Sequence, residues 1–259
     1  MNFRSKYLAS LALILCSSSA MAQVYSLTEL GSLGGSQGSF TNWGSVNDAG
    51  QVAGYSYVSG STSPTAFIYT GGSMQSIGAP GSSEGYGINA AGQVTGVVDT
   101  CGFYTVGGAV IDLNNLLAKC GAIPADTSTG VAINTNGAVA GYSTATGAAT
   151  HAVYFTGGKI KDLGTLGGKN SYAYALNGGG QVTGYSETAA GANHAFISSS
   201  GGLTDIGTLG GDSSIGYGIN SSGNITGLSQ TTGNASTRAF LYTSDTNEMH
   251  SLGGLGGTT

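Results

Sequence analysis

One motif recurs five times along this chain at nearly constant spacing, and a chain that repeats itself so evenly folds as an array of like units. The motif reads apolar-Asn-x-x-Gly-x-Val-x-Gly. It begins at Val46-Asn47, with Gly50, Val52 and Gly54, and returns at Ile88-Asn89, Ile133-Asn134, Leu176-Asn177 and Ile219-Asn220, the last with Ile225 for Val. The steps from Asn to Asn are 42, 45, 43 and 43 residues. Two further boxes share the period. The first is clearest at Asp162-Leu163-Gly164-Thr165-Leu166-Gly167-Gly168 and Asp205-Ile206-Gly207-Thr208-Leu209-Gly210-Gly211, with weaker forms starting at Glu29, Ser76, Asp112 and Ser251. The other, a small residue before an apolar one, stands at Ala66-Phe67, Gly102-Phe103, Ala152-Val153, Ala195-Phe196 and Ala239-Phe240.

Each box reads as part of a β-hairpin. Asn at the first position and Gly at the fourth suit a type I turn with a left-handed exit. The outgoing strand, Gln51 to Ser56, is small or apolar on both faces, as expected of a sheet held between two others. With 48 Gly and 3 Pro in 259 residues, short strands joined by tight turns are favoured over helices. Strands at 151–155 and 160–164 bring the tally to about four per ~43-residue period, the arithmetic of a β-propeller blade. The expected fold is therefore all-β, a propeller of about five four-stranded blades. The alternative is a β-helix or solenoid with two coils per period; sandwiches and barrels rank behind both.

Residues 1–22 read as a secretory signal peptide: Arg4 and Lys6, an apolar run from Tyr7 to Leu15, and a small-residue cleavage site, Ala20-Met21-Ala22. A lipoprotein leader using Cys16 is the rival, disfavoured by Leu15. Residues 23–259 then form one repeat domain, five repeats plus a sixth leading strand, with no transmembrane segment. Removing the leader leaves five basic against twelve acidic residues, a net charge of −7, which argues against nucleic acid as a partner. It also leaves Cys101 and Cys120 as an even pair in an oxidising compartment, where a disulfide is the default.

These boxes resemble the extracellular HAF repeat proteins, named for a His-Ala-Phe box that appears in full at His194-Ala195-Phe196. The likeness covers residues 28 to 257. It implies secretion or surface display in bacteria, and it brings no family catalytic residues.

Residues common to all copies serve the fold, so function is sought where copies differ. Trp43 stands where the other repeats have Gly85, Gly130, Ala173 and Gly216, beside an insertion around 37–41. It is a candidate ligand-binding platform or else a filler of a core gap. In the third period, Asp112 to Cys120 replaces the usual box and fits a single helical turn, pinned by the cysteine bridge. His151 and His194 share one repeat position and read as blade-surface residues; His250 stands apart. Zinc-type His-Glu-x-x-His, nucleophile-elbow and phosphate-loop motifs are missing from the sequence, and no cofactor is expected. Asp48, Glu84, Asp99, Asp126, Glu187 and Asp212 are the acids available to a glycosidase. The expected function is a non-catalytic secreted or cell-surface module that binds or adheres to a glycan or surface protein. The alternative is a secreted carbohydrate-active enzyme. The first box occurs six times against five Asn turns, so the chain reads as part of a longer protein; its oligomeric state is not legible.

Overall fold

The computed structural model describes residues 26–42, 44–113, 127–145, 148–199 and 202–254. They form five four-stranded antiparallel sheets, each built from consecutive strands, so the protein is a β-propeller and not a continuous solenoid. Blade 1 holds β1 (Gly34–Phe40), β2 (Val52–Val58), β3 (Pro64–Thr70) and β4 (Ser73–Ser76). Blade 2 holds β5 (Ser83–Ile88), β6 (Val94–Val98), β7 (Cys101–Val106) and β8 (Ala109–Asp112). Blade 3 comprises β9 (Ser128–Ile133), β10 (Val139–Ala145), β11 (Ala149–Thr156) and β12 (Lys159–Asp162). Blade 4 comprises β13 (Gly167–Leu176), β14 (Val182–Thr188), β15 (Asn193–Ser199) and β16 (Gly202–Asp205). Blade 5 comprises β17 (Gly210–Ile219), β18 (Ile225–Thr231), β19 (Thr237–Thr243) and β20 (Glu248–Ser251). The first strands of blades 2 to 5 touch in succession, which makes them the innermost strands.

The Asn box closes the first hairpin of every blade as its composition predicts. Gly50 N donates to Asn47 O at 2.9 Å, Asn47 Oδ1 accepts from Ala49 N and Gln51 N, and Gly50 takes φ +72°. The glycine two residues along the second strand has a different reason from the sheet-to-sheet approach its small size suggests. In blade 4 a Cβ on Gly184 would collide with Tyr172 O of the same sheet, beside a bulge between Ala173 and Ala175. Close approach between sheets falls instead on the inner strand, where a Cβ on Gly216 would meet Thr183 Oγ1 of the preceding blade.

The core lies between blades. Ala53 and Ala66 of blade 1 pack with Ile88, Val94 and Phe103 of blade 2, and Ala140, Ala152 and Leu163 of blade 3 with Ala173, Val182 and Phe196 of blade 4. Leu113 lies with Ile133, Val139 and Phe155 at the seam of blades 2 and 3, and Ala195 and Ile206 with Ile225 and Phe240 at that of blades 4 and 5. Buried serines stitch the same seams: Ala66 N donates to Ser83 Oγ, Gly102 N to Ser128 Oγ, Ala152 N to Ser171 Oγ and Ala195 N to Ser214 Oγ. Between blades 5 and 1 no strand pair among the described residues packs comparably, and the junction is open.

The expected Cys101–Cys120 bridge needs correction. No cysteine pair stands at disulfide distance among the described residues, because Cys101 is the one cysteine they contain. Cys101 is buried at the start of β7, while Cys120 lies outside the described residues. The Cys101–Cys120 disulfide is therefore not assigned. The helical turn expected over 112–120 lies outside the described residues from 114 onward, as do the leader at 1–22, Trp43, Asp126 and the end of the sixth box.

Candidate binding site

Seven half-buried tyrosines, drawn from all five blades, follow one another along the inner part of the propeller. Two repeat positions supply most of them. Tyr86, Tyr174 and Tyr217 stand three residues before the Asn of their box, on innermost strands. Tyr55, Tyr142 and Tyr185 follow the second-strand glycine, and Tyr172 pairs across the sheet with Tyr185. Because a strand alternates its faces, residues at one repeat position recur at one height in successive blades.

The rings connect across blade boundaries. Tyr142 of blade 3 meets Tyr172 of blade 4 edge-on, with centroids 5.1 Å apart, and Tyr172 stacks on Tyr185 at 5.1 Å. Tyr174 lies 5.8 Å from Tyr185 and stacks on Tyr217 of blade 5 at 5.7 Å. At the other end Phe40 stacks on Tyr55 at 5.1 Å. Tyr86 stands on blade 2, between the two groups. Burial foremost, then its 2.7 Å hydrogen bond to Glu84 Oε2, push its hydroxyl far above the ordinary range, and Tyr142 and Tyr55 act on it from the neighbouring blades. Tyr185 is raised likewise by burial, then by Tyr174 and Tyr172. These phenols therefore remain protonated donors at neutral pH, each combining an apolar ring face with a polar edge.

A second feature lies where the Asn turns converge. A cavity of about 310 Å³ opens there, lined by Val46, Asn47 and Asp48 with Ile88, Asn89, Ile133, Asn134 and Leu176. The asparagine amides at its wall are already engaged. Asn47 Nδ2 donates to Asn89 O, Asn89 to Asn134 O, Asn134 to Asn177 O and Asn177 to Asn220 O, at 2.9 to 3.1 Å. The box thus couples each blade to the next as well as closing its own turn.

The sequence-selected residues are dispersed. His151 Nδ1–H donates to Asp162 and His194 Nδ1–H to Asp205, both at 2.8 Å, while the same aspartates accept from Gly164 N and Gly207 N. The His-Ala-Phe and Asp-Leu-Gly boxes are therefore hydrogen-bonded neighbours on adjacent strands. His250 lies 3.3 Å from Glu248 at the surface. Among the acids, Glu187 accepts from Asn170 Nδ2 and from the amides of Lys169 and Asn170, which lower its pKa. Asp99 accepts from Ser82 N, and Asp212 from Asn234 Nδ2. With Asp48 at the cavity, Glu84 on Tyr86 and Asp126 undescribed, the described acids belong to four blades. Among the described residues no three His, Cys, Asp or Glu gather as a metal-binding set. The tyrosine row escaped sequence reasoning. Its signal was present as Tyr in three of five copies at each of two repeat positions.

No protein-family model matches the sequence, and no curated protein does. Among solved structures, the chain is similar to TolB from Acinetobacter baumannii, at TM-score 0.48 and 14% identity, over 78% of this chain and 51% of that one. It is similar also to a Mycobacterium tuberculosis puromycin-hydrolyzing peptidase, at TM-score 0.50 and 11% identity, over 81% of this chain and 36% of that one. The chain thus spans about half and about a third of their lengths. At such identities the likeness concerns the fold alone.

Proposed function

We propose that this protein is a non-catalytic, secreted or surface-displayed binding module of the HAF repeat kind, and that its tyrosine row receives a glycan. The observation that carries the proposal is that row: seven half-buried phenols from five blades, five of them, in blades 3 to 5, linked ring to ring across two blade seams. Sugar rings offer C–H faces to aromatic planes and hydroxyls to phenol edges, so a run of tyrosines meets both needs at once. The leader-like first 22 residues and the mature charge of −7 agree with an exported protein that does not bind nucleic acid. No helix among the described residues is long and apolar enough to cross a membrane.

A glycan array followed by calorimetric titration tests the proposal. Tyr174→Ala with Tyr185→Ala is expected to weaken binding of any array hit by about tenfold or more, equivalent to about 1.4 kcal/mol. Trp43→Ala belongs in the same titration as the sequence-derived candidate. A general hydrolase screen runs alongside. Turnover of a sugar polymer by the wild-type protein, or a hit whose affinity ignores both tyrosines, would remove the proposal.

A further inference from the structure

Two faces of the molecule stand uncovered where every equivalent face is covered. In blades 1 to 4 the position before the second-strand glycine is fully buried, as Ala53, Thr95, Ala140 and Thr183, yet Thr226 of blade 5 is exposed. Ala66, Ala152 and Ala195 are buried, but Ala239 is exposed. Leu163 is 6% exposed against 59% for Leu252. Blade 1 mirrors this on its opposite side: Ile88 and Ile133 are 7% and 8% exposed, and Val46 64%. Of eight large apolar side chains exposed among the described residues, Phe40, Val46, Leu228 and Leu252 lie on these two faces. Such concentration marks an interaction surface.

The two faces are also complementary halves of one junction. At each internal seam an Asn side chain donates to the next Asn carbonyl, and a strand-three amide donates to a first-strand serine. Blade 5 presents the donor half. Asn220 is exposed, with Oδ1 held by Ser222 N and Asn224 N and no acceptor for Nδ2 among the described residues; Ala239 N occupies the place of Ala195 N. Blade 1 presents the acceptor half, Asn47 O and Ser39 Oγ. Ser39 pairs with Ser56 as Ser171 pairs with Ser186. Where Tyr142 meets Tyr172 across an internal seam, the corresponding residues are Leu228 and Phe40, 41% and 47% exposed and both apolar.

We propose that blade 5 of one molecule docks on blade 1 of a second copy, repeating the internal seam between chains. The association is heterologous, so it extends head to tail until a ring closes or a filament grows. It is independent of the glycan reading.

Sedimentation of three proteins from about 1 µM to about 1 mM tests it. Wild type is expected to associate with rising concentration. Leu228→Arg with Ala239→Arg blocks blade 5, and Val46→Arg blocks blade 1; each variant alone is expected to stay monomeric. Their equimolar mixture is expected to form a 1:1 dimer, since each retains one free half. Thermal melts establish that both are folded, and Leu228→Ala and Val46→Ser serve as milder blocks where an arginine variant is not. A wild-type protein monomeric throughout, whether its own blades 1 and 5 close or the faces remain bare, overturns the proposal. So does a blocked variant that still self-associates, or a mixture that does not.

Discussion

The box asparagine carries several hydrogen bonds in one residue. Asn134 Oδ1 accepts from Asn136 N and Ala138 N, and Nδ2 donates to Asn177 O in the next blade, all at 6% exposure. Asn134→Ala removes these partners and leaves buried amides unpaired, an expected loss of about 3 kcal/mol or more. Asn220→Ala, at an exposed turn whose side chain donates no ladder bond among the described residues, is expected to cost about 1 kcal/mol, and denaturant melts of the two variants check the ordering. The second-strand glycine is stricter. Gly184→Ala would set a methyl against Tyr172 O, where the lattice of strand hydrogen bonds leaves no room, and a loss of about 3 kcal/mol or more is expected. The same substitution at Gly60, whose Cβ direction is empty but whose φ is +78°, tests backbone strain alone and is expected to cost about 1 kcal/mol.

At the scale of elements, the tyrosine strands make stability depend on alkaline pH. Burial raises the Tyr86 and Tyr185 hydroxyls in the folded protein above the ordinary 10.0. Above pH 10 the unfolded chain then releases protons that the folded one retains, so the stability present below that pH declines as pH rises toward the folded values. The melting temperature is expected to fall above pH 10, and less steeply in Tyr86→Phe with Tyr185→Phe. Absorbance titration of phenolate checks the same point, with the wild-type rise displaced upward until the protein unfolds. The His–Asp links make a contrasting case. They join strands three and four at half-exposed sites, and His194→Ala is expected to change stability by less than about 1 kcal/mol.

For the whole molecule, stability is shared out seam by seam, because each blade buries its apolar faces against its neighbours. Blades 2 to 4 have two covered faces, and blades 1 and 5 have one. Hydrogen exchange is therefore expected to show the amides of β2 and β18 opening sooner than their counterparts in β6, β10 and β14. Equal protection in all five second strands would mean that the open junction closes in solution.

Much of this architecture is written locally. The Asn-x-x-Gly turn, its period and the small residues on both strand faces determine hairpins, blade count and the sandwiching of sheets, because turn chemistry and side-chain alternation act over only a few residues. The shared place of His151 and His194 in the period likewise marks them as repeat positions from the sequence alone. Other features arise only when blades meet. Asn47 looks like a turn residue until Asn89 O lies 2.9 Å from its amide, 42 residues away. Tyr55, Tyr86, Tyr142 and Tyr174 look like scattered aromatics until blade packing brings their repeat positions to one inner row. Nor does the repeat, uniform along the chain, distinguish Thr226 from Thr183; burial by a following blade does, and that depends on which faces the tertiary arrangement leaves without a neighbour.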